Sequence, residues 1–207
     1  DSRLTMEQHV AIVARSCFYQ LRQLRSVRRS LTFEALRTVV QAFVISRVDY
    51  CNAVLYGVAA QVIRRLQAVL HAAARLISGV RLHDHITPTL RDTLHWLPAA
   101  QRVEYKVAVM AFDCVRGTCP AYFRDVCRPV STVAGCAGLR SANRNDLVVP
   151  RCRGKRYGPR SLRISAPSVW NTLPVDLRSI NISREQFCCG LKTCLFNRAY
   201  YTPEALL

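Results

Sequence analysis

Acidic side chains are scarce and scattered in this 207-residue sequence. It holds 13 Asp and Glu residues against 30 Lys and Arg, and it contains no Asp-Asp or Asp-x-Asp pair. Two-metal phosphoryl transfer needs two or three carboxylates clustered on one rigid element. No G-x-S-x-G segment occurs either, and no cysteine has a histidine base at a local spacing. We therefore predict no catalytic residues and no enzymatic activity for the chain on its own.

Long apolar runs and an apolar leader are also missing. No segment approaches the roughly 18 consecutive apolar residues of a membrane span. The N-terminus has neither an initiator Met nor a signal-peptide stretch. We therefore expect no membrane partner, an intracellular location in the nucleus or cytoplasm, and a fragment of a longer protein. In that setting the ten cysteines are expected to be reduced and mostly buried.

Paired metal-ligand spacings are absent as well. The four cysteines between positions 114 and 136 are separated by four, seven and eight residues, and the sequence has no C-x-x-C or H-x-x-x-H pair. Structural zinc sites are usually built on such close pairs. His83 and His85 form only an H-x-H pair, which is a weak signal. We predict no metal and no cofactor, and we interpret these thiols as buried side chains.

Arginine is the abundant charged residue. The chain contains 27 Arg and only 3 Lys, and its formal net charge is +17. The planar guanidinium group grips phosphate oxygens in pairs and stacks on bases, whereas solubility alone requires no preference for Arg. Nucleic acid is therefore the expected partner. An acidic surface of another protein or of a membrane, or a bias of the coding sequence, would be alternative reasons for the same excess.

The pattern of apolar residues predicts a mainly α fold that begins with a helical bundle. Within residues 1–80, apolar side chains recur at helical spacing in three segments, and no Gly or Pro occurs before Gly57. The first helix is expected to begin at a capping box at Thr5, and the second at Thr32. The second and third helices are expected to end at Gly57 and Gly79.

Residues 81–207 are predicted to form an α+β C-terminal region. A helix is expected after Pro98, and a capping box at Ser183 is expected to open the last helix. Between them, residues 147–149 and 162–164 are short apolar, β-branched stretches in a segment rich in Gly, Pro, Ser and Arg. These stretches predict a small sheet or hairpin.

The densest positive charge lies between residues 140 and 163. Eight basic side chains fall within these 24 residues, with Asp146 as the only acid and Tyr157 among them. Basic residues interleaved with an aromatic ring favour phosphate contact combined with base stacking, although a solvated, flexible loop is the alternative. Arginines on the first predicted helix supply a second basic surface. The predicted nucleic-acid-binding residues are Arg15, Arg22, Arg25, Arg29, Arg140, Arg144, Arg151, Arg153, Lys155, Arg156, Tyr157, Arg160 and Arg163.

Eight short segments, in a fixed order, carry a family resemblance. They are SCFYQLR (16–22), SRVDYCN (46–52), LYG (55–57), AAARL (72–76), DHITP (84–88), LHWLP (94–98), RSA (140–142) and VWNTLPVDLR (169–178). With these segments the chain resembles, over roughly residues 4–198, the C-terminal region of non-LTR (LINE-class) retrotransposon reverse transcriptases of the jockey and chicken-repeat type. Each segment alone is weak, but eight in the same order are specific.

The resemblance implies a place in a larger polymerase. Residues 1–80 would correspond to the thumb, a helical bundle that holds the template–primer duplex. Residues 81–207 would correspond to a C-terminal domain that helps to bind the RNA of the element or its target DNA. The endonuclease, fingers and palm would precede this region, and the palm would carry the magnesium-binding aspartates.

The implied function is that of a nucleic-acid-binding fragment of an RNA-directed DNA polymerase, which does not polymerise by itself. Its implied partners are RNA, an RNA–DNA hybrid or DNA, together with the missing palm and fingers. Two other interpretations stay open from the sequence. A protein–protein interaction scaffold would use the apolar helical face for a partner, and a non-functional retroelement remnant would not fold stably.

Overall fold

The computed structural model describes residues 4–136, 138–154 and 157–201, and these residues are mainly helical. Two π-helical segments, Gln41–Ile45 and Thr89–Thr93, and several 3₁₀ turns connect α-helices. The α-helices of the described residues are α1 (Glu7–Val27), α2 (Phe33–Val40), α3 (Ser46–Asp49), α4 (Ala60–Ser78), α5 (Ala99–Val115), α6 (Arg140–Asn143), α7 (Leu162–Asn171) and α8 (Arg184–Tyr200).

The chain divides into two compact units, Asp1–Arg102 and Val103–Leu207. The sequence analysis placed a domain boundary after residue 80, earlier than this division. The segment after α4 associates with the first unit because it hydrogen-bonds back to that helix. Gln67 on α4 accepts a hydrogen bond of 2.8 Å from the backbone N–H of Ala99, at the start of α5.

The first unit has its core along α1 and α4. α1 packs against α4, and α2 packs on α4 as well. Val10, Cys17 and Leu21 of α1 recur at helical spacing and are buried on one side of the helix, as the sequence predicts. On α4, Val69 and Leu70 are fully buried. Each such aliphatic side chain stabilises the unit by about 1.5–3 kcal/mol.

Two helix ends of this unit follow the predicted chemistry. The Thr32 hydroxyl caps α2 by accepting a hydrogen bond of 3.2 Å from the N–H of Ala35. Gly79 ends α4 in the left-handed conformation, with φ of 77°. Arg28 occupies the space above Gly79, and its Nε donates a hydrogen bond of 2.7 Å to the carbonyl of Leu76. A guanidinium group at this point also complements the negative end of the helix dipole.

Two other helix ends differ from the prediction. The N-cap of α1 is Met6, with φ of 62°, and the Thr5 hydroxyl accepts only a long hydrogen bond of 3.4 Å from the first helical N–H. The predicted capping box at Thr5 is therefore wrong. The helix expected to reach Gly57 ends at Asp49 instead, because Cys51 adopts φ of 51° and breaks the hydrogen-bonding ladder.

The second unit is centred on three aromatic rings. Phe112 of α5 stacks on Phe187 of α8 with a centroid distance of 4.4 Å, and Trp170 of α7 lies 5.9 Å from the same ring. The predicted capping box at Ser183 is confirmed. The Ser183 hydroxyl accepts from the N–H of Gln186 at 3.2 Å, and the Gln186 side chain accepts from the N–H of Ser183 at 2.9 Å.

The predicted α+β character of the second unit is wrong. The part of the chain that the structure describes contains no β-strand, and its one isolated antiparallel bridge joins Pro129 to Leu147. Residues 162–164 form the first turn of α7, since this helix continues and buries Val169 and Trp170 on its inner side. The apolar residues therefore follow a helical period rather than the alternation of a strand.

The segment 147–149 is extended but has no partner strand. The side chain of Asn171, at the end of α7, satisfies both backbone groups of Leu147. Leu147 itself is buried. The backbone of this segment thus obtains its hydrogen bonds from a side chain and from the single bridge, which removes the need for a sheet.

Candidate nucleic-acid interface

The first basic surface consists of the four arginines predicted near the N-terminus, all of which are exposed. Arg15, Arg22 and Arg25 lie on α1, and Arg29 follows in the 3₁₀ turn Arg28–Ser30. Arg15 and Arg22 lie roughly 100° or more around the helix from its buried stripe. Among the described residues, no carboxylate or carbonyl pairs with any of these four guanidinium groups. We call these four residues the α1 arginines.

The second basic surface lies in the other unit and extends from α6 to the first turn of α7. Five of its predicted arginines are exposed, and within the described part of the chain none of them has a side-chain hydrogen bond or ion pair. Arg140 begins α6 and Arg163 lies in the first turn of α7, whereas the other three lie in the segment between these helices, which has little regular structure. We call these five residues the loop arginines: Arg140, Arg144, Arg151, Arg153 and Arg163.

The single acid of this stretch is used internally. Asp146 forms an ion pair with Arg178, whose side chain is only 5% exposed. The neighbouring Asn145 donates a hydrogen bond of 3.1 Å to the carbonyl of Arg178, and its own carbonyl accepts one of 2.8 Å from the indole of Trp170. Because Arg178 already neutralises Asp146, this carboxylate offers little compensation to the loop arginines.

Tyr157 and Arg160 have a more restricted position than the loop arginines. The Arg160 guanidinium lies 6.0 Å from the centroid of the Tyr157 ring, at the outer limit of a cation–π contact. Tyr157 is 42% exposed, and Arg160 is half-buried. The other two predicted residues, Lys155 and Arg156, lie outside the described residues.

Sequence reasoning missed two aromatic side chains on α1. Phe18 is 43% exposed and Tyr19 is 59% exposed, although both belong to a helix with a well-formed apolar stripe. They lie one helical turn from Arg15 and Arg22, at spacings of three and four residues. This spacing was readable from the sequence, but exposure was not, because aromatic residues in an amphipathic helix are more often buried.

The cysteines lack the arrangement of a metal site. Among the residues that the structure describes, no three His, Cys, Asp or Glu side chains are arranged to hold a metal ion. Cys114 and Cys127 are buried. Burial raises the pKa of the Cys114 thiol well above its ordinary value, assisted by the neighbouring Cys127 and Cys119. Burial likewise raises the pKa of Cys127, to about 11. Both thiols are therefore protonated at neutral pH.

Searches against known protein families, curated proteins and solved structures find no match to the chain. None of the helices in the described residues combines the length and the apolar character that a bilayer-crossing segment requires. Any functional conclusion therefore depends on the residues and their surroundings.

Proposed function

We propose that the chain is a nucleic-acid-binding module that contacts phosphates through two arginine surfaces. One observation carries the proposal. Nine predicted arginines, namely the four α1 arginines and the five loop arginines, are exposed and lack a counter-charge among the described residues. Positive charge concentrated in this way repels itself, and a polyanion removes that repulsion on binding.

The distribution of the other arginines supports the same proposal. Arg102, Arg178 and Arg198 pair with Asp49, Asp146 and Glu104, respectively, and these pairs lie within the folded units. Each of these three arginines is thus neutralised by an acid of its own unit. The nine arginines of the two surfaces have no such partner among the described residues.

The preference for arginine over lysine also suits nucleic acid as the partner. Its guanidinium group forms two parallel hydrogen bonds with a phosphate and can stack on a base, whereas lysine provides a point charge. The two basic stretches include a single lysine, Lys155, since the other two lysines of the chain are Lys106 and Lys192. A surface selected only for charge needs no such preference.

We further propose that the two surfaces correspond to the thumb and the C-terminal domain of a non-LTR reverse transcriptase. The support for this step is the ordered set of eight sequence segments described above. In this interpretation the chain grips RNA, an RNA–DNA hybrid or DNA by shape and charge. It supplies no catalytic residue, and magnesium would be held by palm aspartates of the parent polymerase.

The proposal is tested by removing charge from one surface at a time. The variant R140Q/R144Q/R151Q/R153Q is expected to weaken binding to RNAs of different sequence by similar factors, because phosphate contacts carry no sequence information. Fluorescence anisotropy with labelled 20-mers measures the dissociation constants. The matched control K106Q/R124Q/R128Q/K192Q removes the same charge from exposed side chains elsewhere in the second unit.

The two variants separate a binding surface from an effect of net charge. A large loss in the loop variant with a small loss in the control supports the proposal. Equal losses in both variants would show that total charge alone governs binding. Unchanged affinity in the loop variant would overturn the assignment of that surface.

A further inference from the structure

The solvent-facing side of α1 carries two aromatic rings among its arginines. Tyr19 lies four residues after Arg15 and three before Arg22, so that its ring is one helical turn from both guanidinium groups. Phe18 lies three residues after Arg15 and four before Arg22. At 100° per residue, Tyr19 lies roughly opposite the buried stripe of the helix.

The first unit covers these two rings only in part. Tyr19 is 59% exposed, and no hydrogen bond or ring contact to it occurs among the described residues. The core side of α1 is already occupied by Val10, Cys17 and Leu21. Exposure of an aromatic ring at this point leaves apolar area in water, which a ligand with a flat apolar face would remove.

The charges around the rings indicate the kind of ligand. Arg15 and Arg22 have no ion-pair partner in the described part of the chain, and the only acid on α1 is Glu7, at its first residue. An apolar protein partner would have to bury these two charges without compensation, which is costly. A nucleotide offers a phosphate for each arginine and a base for the ring.

A base is accessible to such a ring only where it is not stacked between neighbours. Base pairs within a continuous duplex expose their edges but not their faces. Single strands, overhangs and unpaired ends expose faces, and stacking of an aromatic ring on them tolerates any base. The combination of Tyr19 with Arg15 and Arg22 therefore suits unpaired nucleotides rather than the interior of a duplex.

We propose that Tyr19, flanked by Arg15 and Arg22, stacks on an unpaired base and makes α1 a binding site for single-stranded nucleic acid or a single-stranded overhang. This inference rests on the proposed nucleic-acid binding and adds the class of ligand. Phe18 forms the edge of the same site. The arginines hold the phosphates on either side of the stacked base.

The test compares Y19A and Y19F on two probes, a mixed-sequence 15-mer RNA and a blunt RNA duplex of the same length. Y19A is expected to weaken single-strand binding about tenfold, within the range measured for one stacked base. It is expected to leave duplex binding within about twofold. Y19F retains the ring and is expected to match the wild type. Y122A is the control, since Tyr122 is 78% exposed in the other unit.

Several results would overturn the inference. These are unchanged single-strand affinity in Y19A, an equal loss on the blunt duplex, and a loss in Y19F as large as in Y19A. A wild type that sediments as a dimer, together with a Y19A variant that sediments as a monomer, would assign the ring to a protein interface instead. Alanine is a strong helix former, and a circular-dichroism melt checks that each variant remains folded.

Failure of this inference is distinguishable from failure of the proposed function. If the wild type binds both probes and Y19A binds each of them with the affinity of the wild type, the proposed stacking site is wrong while nucleic-acid binding stands. If the wild type binds neither probe at low salt, both proposals are wrong.

Discussion

The side-chain amide of Asn171 pairs with the backbone of Leu147 in the way that a neighbouring strand would. Its Oδ1 accepts a hydrogen bond of 2.8 Å from the Leu147 N–H, and its Nδ2 donates one of 2.8 Å to the Leu147 carbonyl. One side chain thus replaces a strand at this position. It anchors the start of the irregular segment that carries two of the loop arginines, Arg151 and Arg153.

Replacing Asn171 with Ala is expected to destabilise the chain by about 2–4 kcal/mol. The variant leaves the N–H and the carbonyl of a buried residue without their partners, and each such group costs about 1–3 kcal/mol. Urea denaturation monitored by circular dichroism measures the change. The control N143A alters an exposed asparagine with no described side-chain hydrogen bond and is expected to stay within about 0.5 kcal/mol of the wild type.

The ion pair between Arg178 and Asp146 is expected to behave as a buried pair. R178M removes the cation and leaves a largely buried carboxylate, for which a loss of about 3–5 kcal/mol is typical. The double variant R178M/D146L is expected to lose less than the sum of the two single losses, because neither charge then remains unpaired. Additive losses in a urea double-mutant cycle would show that the two side chains do not interact.

His71 is expected to make the first unit less stable in mild acid. The Oε1 of Gln67 accepts a hydrogen bond from the N–H of Ala99. The other end of this amide, the Nε2 of Gln67, therefore faces the ring Nε2 of His71 at 2.7 Å and donates to it. This geometry requires an unprotonated His71 Nε2. Burial lowers the pKa of His71, with a smaller contribution from Arg75. Below the ordinary histidine pKa of about 6.5, the unfolded chain therefore protonates His71 more readily than the folded chain does. This difference lowers the free energy of unfolding as the pH falls.

The measurement is the thermal midpoint between pH 7.5 and 5 for the wild type and H71Q. The histidine's contribution is present above about pH 6.5 and is lost as the pH falls through its lowered pKa. Glutamine does not titrate in this range, so H71Q is expected to show a flatter profile. Parallel profiles for the two proteins would contradict this account.

The cysteines are expected to differ strongly in reactivity. The thiols of Cys114 and Cys127 are buried and have raised pKa values, so they contain almost no thiolate at pH 8. Cys51, Cys152 and Cys189 are exposed. Iodoacetamide at pH 8 is expected to label the exposed three first and to reach the buried two only in guanidinium chloride. Peptide mass spectrometry reads the labelling, and early modification of Cys114 in the native protein would refute the burial.

The helices were predictable from the sequence where local chemistry decides them. The cap at Thr32, the left-handed end at Gly79 and the capping box at Ser183 each follow from side chains within a few residues. The strand predicted at residues 147–149 was wrong because a contact distant in sequence satisfies its backbone, whereas residues 162–164 belong to the first turn of α7. Nothing near Leu147 indicates that Asn171, 24 residues later, would take the place of a partner strand.

The candidate site was also predictable from the sequence only in part. The excess of arginine and the density of charge between residues 140 and 163 were evident from composition. The sequence did not show which arginines form ion pairs, because the fold brings Arg178 and Arg102 to acids that are distant in sequence. It also did not show that Tyr19 faces solvent, because helical spacing alone is compatible with a buried ring.

The dependence of binding on salt tests the central claim most directly. For a single-stranded RNA, the slope of log K against log salt concentration is about −0.7 for each phosphate neutralised. If all nine exposed arginines engage, the expected slope is about −6, and engagement of one surface alone gives about −3. A slope near zero, or no binding at low salt, would contradict the account.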